Sequence, residues 1–260
     1  MVKVKFCGIR REEDVTALNH LKPDFAGFVF AKSLRQVSPE QAAVLRQKLN
    51  PAIQTVAVLV NRPAEEAAAL ANEGIVDFLQ LHGDEDDAYI RKLKTMTGAK
   101  IIKAVRLRSG GCMETTDRSK AEVTVRAQTS NENTLKSKIC ISRVNSNRRK
   151  PTDCMPELNA KFLAEATQAD YYLFDTFLPD AYGGTGKTFS LSLLNNLPID
   201  KPFFLAGGLD AGNVVGIIGQ VQKDAALLPY FYGVDVSGGI ETNGYKDPIK
   251  MEAFMKAIRG

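Results

Sequence analysis

Short apolar runs alternate along the chain with segments of helical periodicity. Apolar, β-branched runs of four to seven residues are typical of buried strands. They predict eight strands, at Val2–Cys7, Phe25–Phe30, Gln54–Val60, Phe78–Leu81, Ile101–Val105, Tyr171–Phe174, Phe203–Ala206 and Gly233–Val236. Helical spacing predicts helices at Glu12–Leu21, Pro39–Leu49, Pro63–Glu73, Asp86–Thr97, Glu157–Ala166, Leu191–Leu197, Val214–Val221 and Pro248–Ile258.

This alternation predicts an α/β protein with parallel strands and right-handed crossovers. Eight strand–helix units in 260 residues fit a closed (β/α)8 barrel, the TIM barrel, built as a single domain. A doubly wound open sheet remains the alternative, because the same alternation builds both architectures.

The alternation stops at about 108–156, in a polar stretch rich in Ser, Thr, Asn and Lys. Such a composition buries too little apolar surface to pack as a barrel element. We therefore expect a flexible, basic insertion within the barrel domain, between strand 5 and helix 5. Val123–Arg126 and Lys138–Ser142 could be weak strands of a small hairpin inside it.

The basic character of the chain belongs to this insertion. Between Arg108 and Lys150 there are ten basic and four acidic residues, an excess larger than the net charge of +4 of the whole chain. The remainder is slightly acidic, so we expect no nucleic-acid partner. No apolar run reaches the roughly 18 residues of a membrane span, so we expect no membrane partner either. The strand pattern begins at once, which predicts a cytoplasmic protein without a leader, or a plastid one if a transit peptide has been removed.

The four cysteines show no metal-binding pattern. Cys7 lies in strand 1, whereas Cys112, Cys140 and Cys154 lie in the insertion. The spacing of these three matches no common zinc motif, and neither histidine is near them in sequence. We predict free thiols in a reducing compartment and no metal site.

Polar side chains stand at the carboxyl ends of the predicted strands, where such barrels place their active sites. Cys7 ends strand 1, Arg35 follows strand 2, His82 follows strand 4 and Asp175 ends strand 6. A thiolate accepts a proton and a carboxylic acid donates one, so Cys7 and Asp175 form a candidate acid–base pair. Arg35 can bind a carboxylate or phosphate, and His82 can bind a ligand or act as a base. Each also has a structural alternative. Cys7 could be a buried apolar thiol, and Asp175 could cap a turn. Arg35 could be a solvated loop charge, and His82 a ring bonded to the backbone.

Glycine-rich turns follow strands 7 and 8. Backbone amides at Gly207, Gly208, Ser237, Gly238 and Gly239 can approach an anion closely, and barrels often bind phosphate at this place. A turn that merely needs glycine is the alternative for each of them. Two such turns on consecutive strands favour a phosphate site.

The segment Gly183-Gly-Thr-Gly-Lys-Thr188 is similar to a nucleotide-binding P-loop but fails its pattern. That pattern requires glycine at position 181, which is Ala181 here. We expect instead a flexible loop after strand 6 that closes over the substrate, with Gly184 and Gly186 among the substrate-binding residues.

These residues resemble the motifs of a known family. The matching segments, in chain order, are Lys5-Phe-Cys-Gly-Ile-Arg10, Ser33-Leu-Arg-Gln-Val37, Gln80-Leu-His-Gly83, Asp175-Thr176, Gly183-Gly-Thr-Gly186, Leu205-Ala-Gly-Gly-Leu209, Val234-Asp-Val-Ser237 and Lys246-Asp247. Together they resemble the phosphoribosylanthranilate isomerase family of tryptophan biosynthesis, over nearly everything outside the insertion. Leu34 replaces the usual proline, and Gly238 the usual second serine, of that family.

The resemblance implies an Amadori rearrangement of N-(5-phosphoribosyl)anthranilate to 1-(2-carboxyphenylamino)-1-deoxyribulose 5-phosphate, without cofactor or metal. It implies that Asp175 protonates the furanose oxygen and that Cys7 removes the C2′ proton. It assigns the anthranilate carboxylate to Arg35, and the phosphate to backbone groups around Gly208 and Ser237–Gly239. The partner would be this small phosphosugar alone, and the protein a monomer or homodimer.

Two other functions compete. Indoleglycerol-phosphate synthase, another phosphate-binding barrel, would require a catalytic lysine and glutamate at strand ends, and Lys103 is the only candidate lysine in the predicted strand cores. It would also leave the Cys7–Asp175 pair unexplained. A non-catalytic binding protein that uses the insertion is the second alternative, and the presence of both Cys7 and Asp175 argues against it.

Overall fold

Eight parallel strands close into one barrel. The computed structural model describes residues 1–108, 163, 166–177, 191–194 and 197–260. Each strand pairs with its sequence neighbour, and β1 also pairs with β8. The strands are β1 Lys3–Cys7, β2 Phe25–Val29, β3 Gln54–Leu59, β4 Phe78–Leu81, β5 Lys100–Arg108, β6 Tyr171–Phe177, β7 Phe203–Ala206 and β8 Phe231–Val236. The (β/α)8 barrel is confirmed, and the open sheet is wrong.

Helices follow the strands and cover the outside of the barrel. They are α1 Glu12–Leu21, α2 Pro39–Lys48, α3 Ala64–Asn72, α4 Asp87–Met96, α5 Val214–Lys223 and α6 Pro248–Arg259. Their ends agree with the predicted ones to within two residues. Local capping explains this: Ser38 accepts a hydrogen bond from the Gln41 amide at 3.2 Å, and Asp86 accepts one from the Tyr89 amide at 2.9 Å.

Three strands, β5, β6 and β8, are longer than predicted, and β6 extends from the predicted end at Phe174 to Phe177. β5 continues to Arg108 because it pairs with β6 as far as Arg108↔Phe177, and its arginines interrupt the apolar run that marks a strand in the sequence. β8 begins at Phe231, two residues before the predicted start.

The predicted helix at Leu191–Leu197 is wrong: Leu191–Leu194 form one 3-10 turn. Of the predicted helix Glu157–Ala166 only Leu163 and Ala166 are described, and Leu163 is helical. The insertion after Arg108, with its proposed hairpin, lies outside the described residues, as do the glycine-rich segment 183–188 and three of the cysteines.

The barrel interior is filled by side chains. Phe25 packs edge-on against Phe78 and Phe204, with ring centroids 5.3 and 5.5 Å apart. Because side chains alternate along a strand, the residues next to these phenylalanines in each strand point outward, toward the helices. On β1, Val4 and Phe6 belong to the outer core, so Lys5 and Cys7 face the barrel axis.

A small antiparallel sheet follows β8. It pairs β9, Glu241–Thr242, with β10, Tyr245–Lys246, and the sequence pattern did not predict it. Its strands are two residues long, too short to produce an alternating pattern. This sheet places Glu241 and Lys246 close to the carboxyl ends of the barrel strands.

Candidate active site

A cavity of about 600 Å³ opens at the carboxyl ends of the strands. It brings together the predicted residues that the structure describes, which are Cys7, Arg35, His82, Asp175, Gly207, Gly208, Ser237, Gly238 and Gly239. Gly184 and Gly186, the other two predicted binding residues, lie outside the described residues. The predicted residues that the structure describes therefore share one cavity, but the sequence did not predict that Glu241 pairs with Arg35 and Lys246 beside them.

Cys7 is a free thiol at the last position of β1, with 8% of its surface exposed. Gly8 follows it with a positive φ of 85°, and the Gly8 amide donates to the Gly27 carbonyl at 2.9 Å. This turn holds the thiol at the rim of the cavity. Burial raises the pKa of Cys7, and the nearby Lys5 ammonium opposes that rise.

Asp175 and His82 meet across the cavity mouth, from β6 and the end of β4. The His82 Nε2 atom lies 3.4 Å from the Asp175 carboxylate. On the other side of the ring, the Gln80 side-chain amide lies 3.1 Å from Nδ1. With Gln80 as the donor, Nδ1 accepts and the ring proton sits on Nε2, toward Asp175. His82 therefore bonds to side chains, and neither Asp175 nor His82 is isolated in solvent.

Arg35 is paired with a carboxylate, so the alternative of a solvated loop charge is wrong. Its Nε and Nη2 atoms donate to the two Glu241 oxygens at 2.7 Å each, a bidentate pair. Lys246 donates to the same carboxylate at 2.7 Å. Burial alone would raise the pKa of Glu241, but its bonds to Arg35 and Lys246 lower it to about 2. Glu241 is thus a permanent anion that fixes the guanidinium at the cavity edge.

The turn after β7 has the backbone that the sequence suggested. Gly207 and Gly208 have φ values of 95° and 64°, which glycine adopts without strain. A Cβ atom added at Gly208 would meet no atom within 4 Å, so the space above this turn is open. The backbone there is accessible to an anion.

The turn after β8 is more constrained. The Ser237 hydroxyl donates to the Cys7 carbonyl at 3.0 Å and also accepts from Lys246 at 3.2 Å. A Cβ atom at Gly239 would lie 1.9 Å from the Leu209 carbonyl oxygen. Close packing between the two turns therefore explains Gly239, and the Ser237 hydroxyl helps to hold the end of β1.

A lysine faces the barrel interior where none was identified from the sequence. Lys103 is not the only lysine within the strands: Lys5, in β1, is 0% exposed and donates to Asp235 at 2.9 Å. Lys103 faces outward and donates to Gly83 O at 2.6 Å and to Glu85 at 3.0 Å. The spacing Lys5-Phe-Cys7 already carried the signal, because residues two apart on a strand share one face.

Within the described part of the chain, no group of three or more His, Cys, Asp or Glu side chains is arranged to hold a metal ion. The helices that the structure describes include none long and apolar enough to cross a bilayer.

A closed eight-stranded barrel with a cavity lined by ionisable side chains at the carboxyl ends of its strands is typical of enzymes of the (β/α)8-barrel class. The family model described as N-(5'phosphoribosyl)anthranilate (PRA) isomerase matches residues 4–126 and 130–257. The chain belongs to this family and is an isomerase of tryptophan biosynthesis.

Relatives of known name agree with this assignment. The chain is 38% identical to the N-(5'-phosphoribosyl)anthranilate isomerase of Thermoanaerobacter sp. (strain X514), over 100% of this chain and 99% of the relative. It is 33% identical to the enzyme of the same name from Endomicrobium trichonymphae, with the same coverage. Among solved structures, phosphoribosyl anthranilate isomerase from Thermotoga maritima superposes with a TM-score of 0.68 at 29% identity, with 100% of each chain covered.

A second solved structure carries a ligand. It is a phosphoribosyl anthranilate isomerase in complex with reduced 1-(o-carboxyphenylamino)-1-deoxyribulose 5-phosphate, with a TM-score of 0.65, 26% identity and full coverage of both chains. Membership of this family excludes the competing indoleglycerol-phosphate synthase function, although the barrel does hold a buried lysine, Lys5, on β1.

Proposed function

We propose that this isomerase converts N-(5'-phosphoribosyl)anthranilate to 1-(2-carboxyphenylamino)-1-deoxyribulose 5-phosphate, with Asp175 as the general acid and Cys7 as the general base. The observation that carries the proposal is the placement of Cys7 and Asp175, from β1 and β6, in one cavity. A proton donor and a proton acceptor on different strands can reach different atoms of one sugar. The bound product analogue in a related isomerase supports the choice of substrate.

The chemistry begins with ring opening. The protonated Asp175 carboxyl gives its proton to the furanose oxygen, the C1′–O bond breaks, and the anilino nitrogen lone pair forms the C1′=N bond. The neutral His82 ring, with Nε2 3.4 Å from this carboxylate, helps to position it. Solvent restores the proton that Asp175 gives up, and Cys7 later releases to solvent the proton that it takes from C2′.

Proton transfer at carbon follows. The Cys7 thiolate removes the C2′ proton, the C–H electrons form the C1′=C2′ bond, and the iminium electrons return to nitrogen. The resulting enolamine then tautomerises to the ketone. Each step moves only protons and electron pairs already present in the substrate and the side chains, so no cofactor or metal enters the scheme.

Arg35 and the glycine turns supply binding. We assign the substrate carboxylate to Arg35, because its pair with Glu241 uses Nε and Nη2 and holds the guanidinium plane at the cavity. We assign the phosphate to backbone amides of Gly207, Gly208 and Gly238. The open space above Gly208 supports this assignment.

The decisive experiment incubates the purified protein with N-(5'-phosphoribosyl)anthranilate and measures the fluorescence of the substrate over time. We expect enzyme-dependent loss of substrate fluorescence, with the aminodeoxyribulose phosphate identified by mass and retention. Substrate loss that yields free anthranilate instead would show hydrolysis and contradict the proposal.

Arg35→Met is expected to raise KM by about 10- to 100-fold while changing kcat less, because a hydrogen bond to a charged group contributes about 1.5–3 kcal/mol. Steady-state kinetics on the variant provide the measurement. Arg46→Met is the matched control, since Arg46 donates to Ile53 O at 2.9 Å and pairs with Asp77, and it does not line the cavity. An unchanged KM in Arg35→Met would remove Arg35 from the substrate contact.

We further propose that the chain acts as a single domain, since strands from both sides of the insertion pair directly as β5 and β6. A monomer or a homodimer without nucleic acid suits a site built within one barrel, and a solved Thermotoga maritima relative is described as a dimeric enzyme from which monomers were generated. The reduced Cys7 thiol favours the cytoplasm as the compartment.

A further inference from the structure

We propose that Lys5, held in place by Asp235, is a positioning residue that sets a positive charge against the Cys7 sulfur and stabilises its thiolate. This inference deepens the proposed function and rests on the role of Cys7 as the base. It assigns a function to a buried ion pair that the scheme above does not use.

The contacts of Lys5 place its ammonium beneath the thiol. Lys5 and Cys7 lie two residues apart on the inner face of β1, so their side chains are neighbours on one face of the strand. On the neighbouring strand, Asp235 pairs in register with Lys5 and accepts its hydrogen bond at 2.9 Å. The Lys5 side chain is fully buried, so solvent does not screen its charge from the sulfur.

Gly27 permits this approach. It pairs in register with Cys7 on β2, and a Cβ atom added there would lie 3.0 Å from the Cys7 sulfur and 3.2 Å from Lys5 Nζ. Any larger residue would crowd both groups at once. The glycine therefore leaves room for the ammonium and the thiol to lie close to each other.

The charges around Cys7 have opposing effects. Burial raises its pKa, Lys5 lowers it, Asp235 raises it and Lys246 lowers it. The bond to Glu241 raises the pKa of Arg35, in the loop after β2, and the attraction of the Cys7 thiolate raises it further. Lys246 and Arg35 both bond to the Glu241 carboxylate, which offsets their charge, whereas Lys5 lies next to the sulfur on the same face of β1.

Asp235 keeps the lysine charged. Burial would lower the pKa of Lys5, but the attraction of Asp235 and of the Cys7 thiolate outweighs it, and the pKa is raised overall. An ammonium that stays protonated at every working pH can stabilise a thiolate without competing for the proton that Cys7 takes from the substrate.

The test compares thiol titration with turnover. Cys112, Cys140 and Cys154 are replaced by serine so that Cys7 is the only thiol, and thiolate absorbance is followed against pH in the substrate-free protein. Lys5→Met is expected to move the Cys7 titration to higher pH by about 1 to 3 units, the usual effect of losing an adjacent opposite charge. In the same variant kcat/KM at neutral pH should fall at least about tenfold and recover at alkaline pH with the same shift.

Two further variants serve as controls. Lys103→Met removes another buried lysine with a carboxylate partner, Glu85, and should leave the Cys7 titration unchanged. The double variant Lys5→Met/Asp235→Asn removes both charges of the buried pair. Because it leaves no unpaired Asp235 carboxylate, it should fold even if Lys5→Met alone is destabilised. Its titration should still move to higher pH, by less than in Lys5→Met.

An unmoved Cys7 titration in both Lys5 variants would overturn the inference. A titration that moves as expected while the pH profile of kcat/KM stays fixed would uphold the role of Lys5 and contradict the role of Cys7 as the base. The two readouts therefore separate this inference from the proposed function on which it rests.

Discussion

Cys7→Ser is expected to lower kcat by about 10² to 10⁴, the range typical for loss of a general base. A serine hydroxyl holds its proton far more tightly than a thiol, and neither Lys5 nor Lys246 can ionise it near neutral pH. The lost rate corresponds to about 3 to 5 kcal/mol of barrier. Single-turnover kinetics with the phosphoribosyl substrate measure it, because they report the chemical step rather than product release.

The replacement is nearly isosteric, so the fold should survive. Cys7 is buried, and serine at this place keeps the backbone bonds of Gly8 and Ser237. Cys112→Ser, the same chemical change in the insertion, serves as the control for thiol loss in general. A Cys7→Ser enzyme with more than a tenth of the normal rate would show that another group takes the C2′ proton.

Asp175→Asn is expected to reduce kcat by a similar factor, about 10² to 10⁴, with little change in the affinity for a product analogue. An amide has no proton to give to the ring oxygen, yet it has the size of the carboxyl. It can also keep its place beside His82, whose Nε2 lies 3.4 Å from the carboxylate. Rapid-mixing kinetics and calorimetric binding of a reduced product analogue measure the two quantities separately.

Asp170→Asn is the matched control for this change. Asp170 precedes β6, at its opposite end, where it accepts a hydrogen bond from the Ile101 amide at 2.8 Å and pairs with Lys94. Its replacement should lower stability while kcat stays within about threefold, since it lies far from the cavity. Equal losses of kcat and of analogue affinity in Asp175→Asn would make Asp175 a binding residue instead of the acid.

The alternating pattern predicted the barrel because the position of each strand is determined by its own short stretch of sequence. Each strand is a short apolar run, and six of the eight are followed by a described α-helix, so all eight strands were found within a few residues. Parallel strands bring their carboxyl ends to one rim, and this placed Cys7, His82 and Asp175 in a common cavity. Proximity in the barrel followed from strand order alone.

The ion pairs of the site could not be predicted in the same way. Glu241 reaches Arg35 through a sheet with two-residue strands, and the two side chains are 206 positions apart. Lys5 and Asp235 are 230 positions apart and meet only because β1 pairs with β8. Charge partners at such separations depend on how the barrel closes, and the single sequence gives no register for that closure.

The closure of the barrel also decides when the enzyme comes into existence during synthesis. The thiol is carried by the first strand of the barrel to be synthesised, but the Asp235 that anchors its neighbour Lys5 is on the last, and the Ser237 hydroxyl that holds the Cys7 carbonyl follows that strand. A nascent chain that has completed six or seven strands contains both proposed proton-transfer groups and still lacks these contacts. On the proposed roles of Cys7 and Lys5, we therefore expect a nascent chain to gain activity only when the final strand closes the ring.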